Sequence, residues 1–107
     1  MKCLILLKWK PGPPPDPQIV IRMNEGVKAW IQGNVAGGFL DCAYNVIPSA
    51  PGYYGMGIAN GSSLEEMFAK LTTYPGFVAT DFEVYPLSEV MSAIDNVSAT
   101  FRQLAGG

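Results

Sequence analysis

The chain carries two kinds of hydrophobic spacing, and the order in which they follow one another leaves few possible folds. Four short segments have the alternating or continuous apolar pattern of β-strands, and two longer segments have helical spacing. In chain order we predict strand 3–9, a helix from 17 to about 33, strand 39–47, strand 53–59, a second helix that starts at Ser62 or Ser63 and ends at Tyr74-Pro75-Gly76, and strand 77–87. This β-α-β-β-α-β order is that of the ferredoxin-like fold. Right-handed crossovers then place both helices on one face of a four-stranded antiparallel sheet, in one α+β domain spanning 1–107.

The helix starts are marked by residues that cap backbone N–H groups. Asp16 followed by Pro17 is typical of an N-cap and a first helical residue, after the proline-rich loop 10–17. The second helix can begin with either of two capping boxes, Ser62–Glu65 or Ser63–Glu66. Ser88 is the expected cap of one more helix at the C-terminal end.

Helices on one face leave the other face of the sheet, the open face, without cover. The chain is 49% hydrophobic and only 15% charged, which is apolar for so small a domain. We therefore expect a homodimer or a higher homo-oligomer in which two open faces pack together, as in a dimeric α+β barrel. The last helix has an amphipathic spacing that also suits a partner subunit. The residues expected on the open face are Leu4, Leu6, Phe39, Tyr53 and Phe77, and those of the last helix are Val90, Ile94, Val97, Phe101 and Leu104.

The composition excludes several classes of function. A net charge of -2 with scattered Lys and Arg argues against nucleic acid and anionic membranes. The chain has no histidine, so His-ligated metals and Ser-His or Cys-His mechanisms are excluded, and we expect no cofactor and no metal. Cys3 and Cys42 are expected to be free core thiols in a reducing compartment, which predicts a cytoplasmic protein. The initial apolar run stops at Lys8, too short for a signal peptide.

Polar residues concentrate on the open face if alternation holds along every strand. Alternation of side chains then places the even-numbered residues of the first strand and the odd-numbered residues of the other three strands on that face. A β-bulge would invert part of this assignment. The polar open-face residues are Lys8, Asp41, Asn45, Tyr53, Asp81, Glu83 and Tyr85; the predicted helix-facing set is Leu40, Cys42, Tyr44, Tyr54, Met56, Ile58, Phe82 and Val84.

Asp81 and Glu83 are the candidate acid–base pair. They are two residues apart on one strand, so their side chains share a face and their Cα atoms are roughly 6–7 Å apart. Where such carboxylates are screened from water, at least one pKa rises, and the group can shuttle protons near neutral pH. Lys8 would keep the other carboxylate charged or stabilise an enolate oxygen. The alternative is that both acids are solvated charges that protect a sheet edge.

Glycines in the third strand indicate a second point of interest. Gly55 and Gly57 are two residues apart, and glycine inside a strand often permits close approach of a ligand or another backbone. The Gly55-Met56-Gly57 segment lies within a strand, so it is no dinucleotide-binding fingerprint.

The segment 62–87 resembles the muconolactone isomerase family. The likeness consists of a capped helix with the same apolar stripe, a short proline-containing connection and a strand close to D-x-E-V-x-x-L, matched by Asp81, Glu83, Val84 and Leu87. This segment is about a quarter of the chain. The resemblance implies the dimeric α+β barrel superfamily and a cofactor-free isomerase that moves a proton across an unsaturated lactone.

These observations together predict a small cofactor-independent enzyme acting on a lactone or enol-type ligand. Glu83 or Asp81 would be the base, with Lys8 as electrostatic support. The predicted substrate-binding residues are Tyr53, Asp41, Asn45 and Tyr85. Two alternatives stay open: a non-catalytic ligand-binding module of the ACT type, or a cofactor-free monooxygenase or cyclase of the same superfamily. Fold resemblance transfers architecture more securely than reaction.

Overall fold

The predicted order of elements is confirmed. The computed structural model describes residues 1–13, 15–47 and 52–106. Its elements are β1 (Lys2–Trp9), α1 (Pro17–Ala36), β2 (Leu40–Asn45), β3 (Tyr53–Asn60), α2 (Leu64–Leu71), a short 3₁₀ turn (Phe77–Ala79), β4 (Thr80–Leu87) and α3 (Val90–Leu104). The predicted loop 48–52 lies outside the described residues except for Gly52, which has φ +105°.

Side-chain caps fix where the helices begin. Asp16 accepts from the backbone N–H of Gln18 at 2.8 Å, with Pro17 in the first turn of α1. Ser63 is the N-cap of α2, since its Oγ accepts from the N–H of Glu66 at 3.1 Å. The prediction of Ser88 as the cap of α3 is wrong.

Glu89 takes that role at the start of α3. Its two carboxylate oxygens accept from the N–H groups of Met91 and Ser92 at 3.0 and 2.8 Å. These backbone donors hold the pKa of Glu89 below its ordinary value. A carboxylate here also interacts favourably with the positive end of the helix dipole.

The four strands form one antiparallel sheet in the order β2-β3-β1-β4. β1 and β4 pair in unbroken register, which places Leu6 opposite Glu83 and Lys8 opposite Asp81. Directly opposite residues of an antiparallel pair share a face. The open-face assignment of β4 is therefore correct from Asp81 onward.

A bulge at Tyr54 overturns the predicted facing of most of β3. Leu7 pairs with Gly55 and Lys8 with Tyr53, so Tyr54 is the extra residue. Tyr53 and Tyr54 keep their predicted sides, but every later residue changes face. Met56 and Ile58 lie on the open face, and Gly55, Gly57 and Ala59 face the helices.

A second irregularity, at Asp41, reverses the predicted facing of the residues that follow it in β2. Leu40 pairs with Ala59 and Cys42 with Ile58. Leu40 therefore faces the helices as predicted, whereas Cys42 and Tyr44 lie on the open face and Ala43 and Asn45 on the helix side. The prediction for these four residues is wrong.

Two aromatic residues also depart from the predicted open face. Phe39 packs against the buried core on the helix side. Phe77 belongs to the 3₁₀ turn that precedes β4, and its ring stacks on Phe82 with centroids 5.9 Å apart. Leu4, Leu6 and Tyr53 therefore remain from the predicted apolar set.

The core lies between the sheet and the helices. Met67 of α2 is fully buried there. It belongs to a cluster formed by α2 and three strands, β1, β2 and β3, whose members are Cys3, Ile5, Leu40, Ala59, Met67 and Leu71. Cys3 is a buried free thiol, and Cys42 is a half-buried one. A Cβ at Gly26 of α1 would lie 3.2 Å from Cβ of Pro75, so glycine allows α1 to approach the α2–β4 connection.

α3 extends the molecule instead of completing its core. The longest dimension is 65 Å and the Cα radius of gyration is 17.8 Å, against about 13 Å expected for a compact chain of this length. Its apolar residues Val90, Ile94, Val97, Phe101 and Leu104 are between 53% and 76% exposed. Among the described residues, no helix is both long and apolar enough to cross a membrane.

Candidate functional site

Glu83 is the centre of a polar cluster on the open face of the sheet. Tyr53, across the sheet on β3, donates its hydroxyl hydrogen to Oε2 of Glu83. Tyr85, two residues along β4, donates to the same oxygen at 3.3 Å. The Lys8 ammonium lies 5.1 Å from the centroid of the Tyr53 ring. Strand alternation on β4, the unbroken β1–β4 register and the pairing of Lys8 with Tyr53 across β1 and β3 bring these side chains together.

The charge of Glu83 keeps both phenols protonated. Its hydrogen bond with Tyr53, reinforced by partial desolvation, raises the pKa of Tyr53 to about 12. The negative charge of Glu83 also raises the pKa of Tyr85. Both described hydrogen bonds go to Oε2, so within the described residues Oε1 has no protein donor. The arrangement is a carboxylate held by two phenols, with one oxygen directed to other partners.

Asp81 and Lys8 lie beside this cluster, near the N-terminal end of β4. They lie directly opposite each other in the β1–β4 pair, on the same face as Glu83. Asp81 is exposed, and Lys8 is half-buried. The structure therefore brings together five of the predicted site residues: Lys8, Tyr53, Asp81, Glu83 and Tyr85.

Asp41 is far from this cluster. It forms an ion pair with Lys2 and accepts from Nδ2 of Asn60 at 2.7 Å. The hydrogen bonds from Lys2 and Asn60 lower its pKa. Lys2 is six residues from Lys8 on β1, or about 20 Å along the strand. Asp41 thus stabilises the opposite end of the sheet.

Asn45 is on the other side of the sheet, where it lines a cavity beneath α1. This cavity has a volume of about 360 Å³. Its walls combine aliphatic and aromatic side chains, and the glycines of β3 form part of its floor; the lining includes Trp30, Asn45, Tyr54, Gly55, Gly57, Tyr74 and Phe82. The sequence signal for it was the Gly55-x-Gly57 spacing, which the predicted register assigned to the wrong face.

Metal binding has no support in the described part of the chain. No group of three or more His, Cys, Asp or Glu side chains is placed there to hold a metal ion.

The sheet order, the antiparallel register and the two helices on one face define a ferredoxin-like α+β fold, the unit of dimeric α+β barrels. Muconolactone isomerase has a similar structure, with a TM-score of 0.70, 20% identity, and coverage of 83% of this chain and 90% of that one. 5-Chloro-2-hydroxyhydroquinone dehydrochlorinase from Burkholderia phenoliruptrix, in complex with 2,5-dihydroxybenzoquinone, is also similar, with a TM-score of 0.62, 16% identity, and coverage of 83% and 95%. At these identities the likeness shows a shared fold. No protein-family model and no curated protein sequence matches the chain.

Proposed function

We propose that this protein is a cofactor-independent enzyme that moves a proton on a small unsaturated lactone or enol-type substrate. The observation that carries the proposal is the Glu83 carboxylate, which two tyrosine hydroxyls hold through one oxygen while the other has no hydrogen-bond donor among the described residues. The fold shared with muconolactone isomerase and a dehydrochlorinase supports an enzyme of this general kind.

Glu83 would act as the base through Oε1. It takes a proton from a carbon next to the substrate carbonyl, so that a C–H bond breaks, an O–H bond forms and an enolate develops. The Lys8 ammonium stabilises the enolate oxygen by its charge. Return of the same proton to a different carbon completes an isomerisation without any change in oxidation state.

The neighbouring groups would position the base and the substrate. Tyr53 and Tyr85 fix the carboxylate by donating to it, and the negative charge of Glu83 raises the pKa of both phenols. Asp81 lies directly opposite Lys8 on the neighbouring strand, where the two opposite charges attract each other. If Asp81 is instead the base, Glu83 would organise the two tyrosines.

A second copy of the chain would enclose this site. The open face exposes part of Leu4, Leu6, Met56 and Ile58 around Glu83. A second sheet packed about 10 Å away would bury these side chains and remove water from the carboxylate. The apolar stripe of α3 provides a further surface for the same purpose. Analytical ultracentrifugation should show a homo-oligomer at micromolar concentration; a monomer would contradict the paired sheets.

The catalytic proposal can be tested before the natural substrate is identified. Proton abstraction exchanges hydrogen for deuterium at the carbon next to a carbonyl, which NMR detects for a panel of enol lactones in D₂O. Glu83→Gln should slow the protein-catalysed exchange by about 10²- to 10⁴-fold, the usual contribution of a general base. Glu25→Gln, at an exposed position of α1, is the matched control and should exchange as wild type. An unchanged rate in Glu83→Gln would remove Glu83 from the mechanism.

Ligand binding without catalysis is the competing function. The cavity beneath α1 favours it, because its described lining is aromatic and aliphatic with a few uncharged polar groups, and contains no carboxylate or ammonium. A protein that binds small compounds but catalyses no exchange with any member of the panel would fit this second function.

A further inference from the structure

The cavity beneath α1 exists because β3 has no side chains at two adjacent helix-facing positions. Gly55 and Gly57 both face α1. A Cβ at Gly57 would lie only 3.1 Å from the carbonyl oxygen of Cys42, so replacing Gly57 by a larger residue would create a steric clash. Val27, Trp30 and Ile31 of α1 lie over these glycines, yet α1 has no fully buried residue. The helix therefore covers the sheet at this point without filling the space.

The size and polarity of the cavity match a small flat molecule. Its volume of about 360 Å³ is at the lower end of the range for ligand pockets. The rings of Trp30, Tyr54, Tyr74 and Phe82 line it, and no described lining residue is charged. A charged ligand would lose its hydration without gaining a counter-charge, which is costly. The lining therefore selects for uncharged ring compounds.

Hydroxyl groups at one wall supply a polar anchor, beside the Asn45 side chain that also lines the cavity. Tyr54 contacts the hydroxyl of Tyr74 at 3.2 Å and that of Thr80 at 2.7 Å. Three hydroxyls carry three O–H donors, and two contacts use two of them. One O–H therefore remains for a partner outside this network. Burial and the hydrogen bond with Tyr54 raise the pKa of Tyr74, so its phenol stays protonated.

Aromatic packing holds these groups in place. Trp9 stacks on Tyr54 with ring centroids 4.0 Å apart, and Trp30 meets the edge of Tyr74 at 5.3 Å. The indole N–H of Trp30 donates to Oγ1 of Thr73 at 2.8 Å. Since both tyrosine rings are held by neighbours, the anchor is already oriented before a ligand arrives.

We propose that this cavity is a second binding site, for an uncharged planar ring compound that carries one hydrogen-bond acceptor. It lies on the opposite face of the sheet from Glu83, so it goes beyond the catalytic proposal and can be tested without any activity. Aromatic ketones, quinone-like rings and fused lactones have the required chemistry.

Titration of the full ¹⁵N-labelled chain, followed by NMR at the Trp30 indole N–H, tests the ligand class. Coumarin is an uncharged fused ring with a carbonyl acceptor, naphthalene lacks the acceptor, and coumarin-3-carboxylate adds a negative charge. We expect saturable binding of coumarin, about tenfold weaker binding of naphthalene, and binding of the carboxylate weaker by about 100-fold or more. Equal affinities for the three compounds, or no binding of coumarin, would overturn the proposal.

Variants locate the site. Ala43→Leu adds volume on the helix side of β2 and should weaken coumarin binding at least tenfold. Cys42→Leu adds volume to the open face of the same strand and should leave that affinity within about twofold. Tyr54→Phe combined with Tyr74→Phe removes both of these lining hydroxyls. The double variant should reduce coumarin binding to the level of naphthalene without changing naphthalene binding, which separates loss of the anchor from general disruption. Equal effects of the two leucine variants would exclude this cavity.

A second copy is the other possible occupant. If an apolar side chain of the partner's α3 filled the cavity, the wild-type chain would not bind coumarin, whereas Phe101→Glu, which weakens α3 docking, would bind it. That result would replace the ligand site by a protein interface. Coumarin binding that is the same in wild type and Phe101→Glu supports the small-molecule site.

Discussion

Removing the carboxylate of Glu83 should lower the pKa of Tyr53 from about 12 toward the ordinary tyrosine value near 10. The Tyr53 hydroxyl donates to Glu83, and ionisation of the phenol would lose that bond and place two negative charges side by side. Glu83→Ala removes both penalties. Glu83→Gln removes the charge but retains an oxygen that can accept, so its effect should be intermediate.

The expected difference is large at a single pH. At pH 11, Tyr53 should be roughly one-tenth ionised in the wild type and roughly nine-tenths ionised in Glu83→Ala. The same raised pKa makes folding depend on pH. Its stabilising contribution is fully present below pH 10 and is lost as the pH rises through about 12, because the unfolded tyrosine ionises first.

The assay is NMR of ¹³Cζ-labelled tyrosine over pH 8 to 11.5, with the signal of Tyr53 assigned by its absence in Tyr53→Phe. Circular dichroism at each pH checks that the chain stays folded. A wild-type Tyr53 that titrates near pH 10, or a titration that Glu83→Ala leaves unchanged, would refute the hydrogen bond and with it the proposed geometry of the base.

Three further predictions concern packing and assembly. Met67→Ala should lower the free energy of unfolding by about 2 to 4 kcal/mol in urea titrations, because the Met67 side chain is 0% exposed. The neighbouring Phe68 is 49% exposed, so Phe68→Ala should lower it by less than about 1.5 kcal/mol. Equal losses in the two variants would contradict the core assignment. Gly57→Ala should destabilise by about 1 to 2 kcal/mol, since its Cβ would lie 3.1 Å from the Cys42 carbonyl oxygen, and a more stable variant would show that the strand adapts freely. Phe101→Glu should shift the oligomer toward smaller species in ultracentrifugation, and an unchanged distribution would exclude the α3 stripe as an interface.

Local patterns were sufficient for α2 and for β4 from Thr80 onward, although the first three residues of the predicted strand form a 3₁₀ turn. The apolar spacing of α2 and the capping pair Ser63–Glu66 both involve residues within one or two turns, so short-range contacts decide them. β4 pairs with β1 without interruption, and simple alternation correctly places Asp81, Glu83 and Tyr85 on one face. Lys8 joins them because it lies at the matching position of β1.

The same reasoning failed for β2 and β3, where the register decides which side each residue faces. One extra residue at Tyr54 and another at Asp41 reverse the alternation, and nothing in the local spacing marks either position. Asn45 thereby moved from the predicted site to the cavity beneath α1.

The sequence by itself determined the order of the elements, most helix starts and the facing of the strand that carries Glu83. Tertiary structure alone decided that Asn45 lies on the opposite face from that carboxylate, and that Gly55 and Gly57 open a cavity on the helix side. The physical reason is the range of the interactions. Caps and apolar stripes depend on neighbours in the chain, whereas strand register depends on pairing between distant segments that a single bulge shifts.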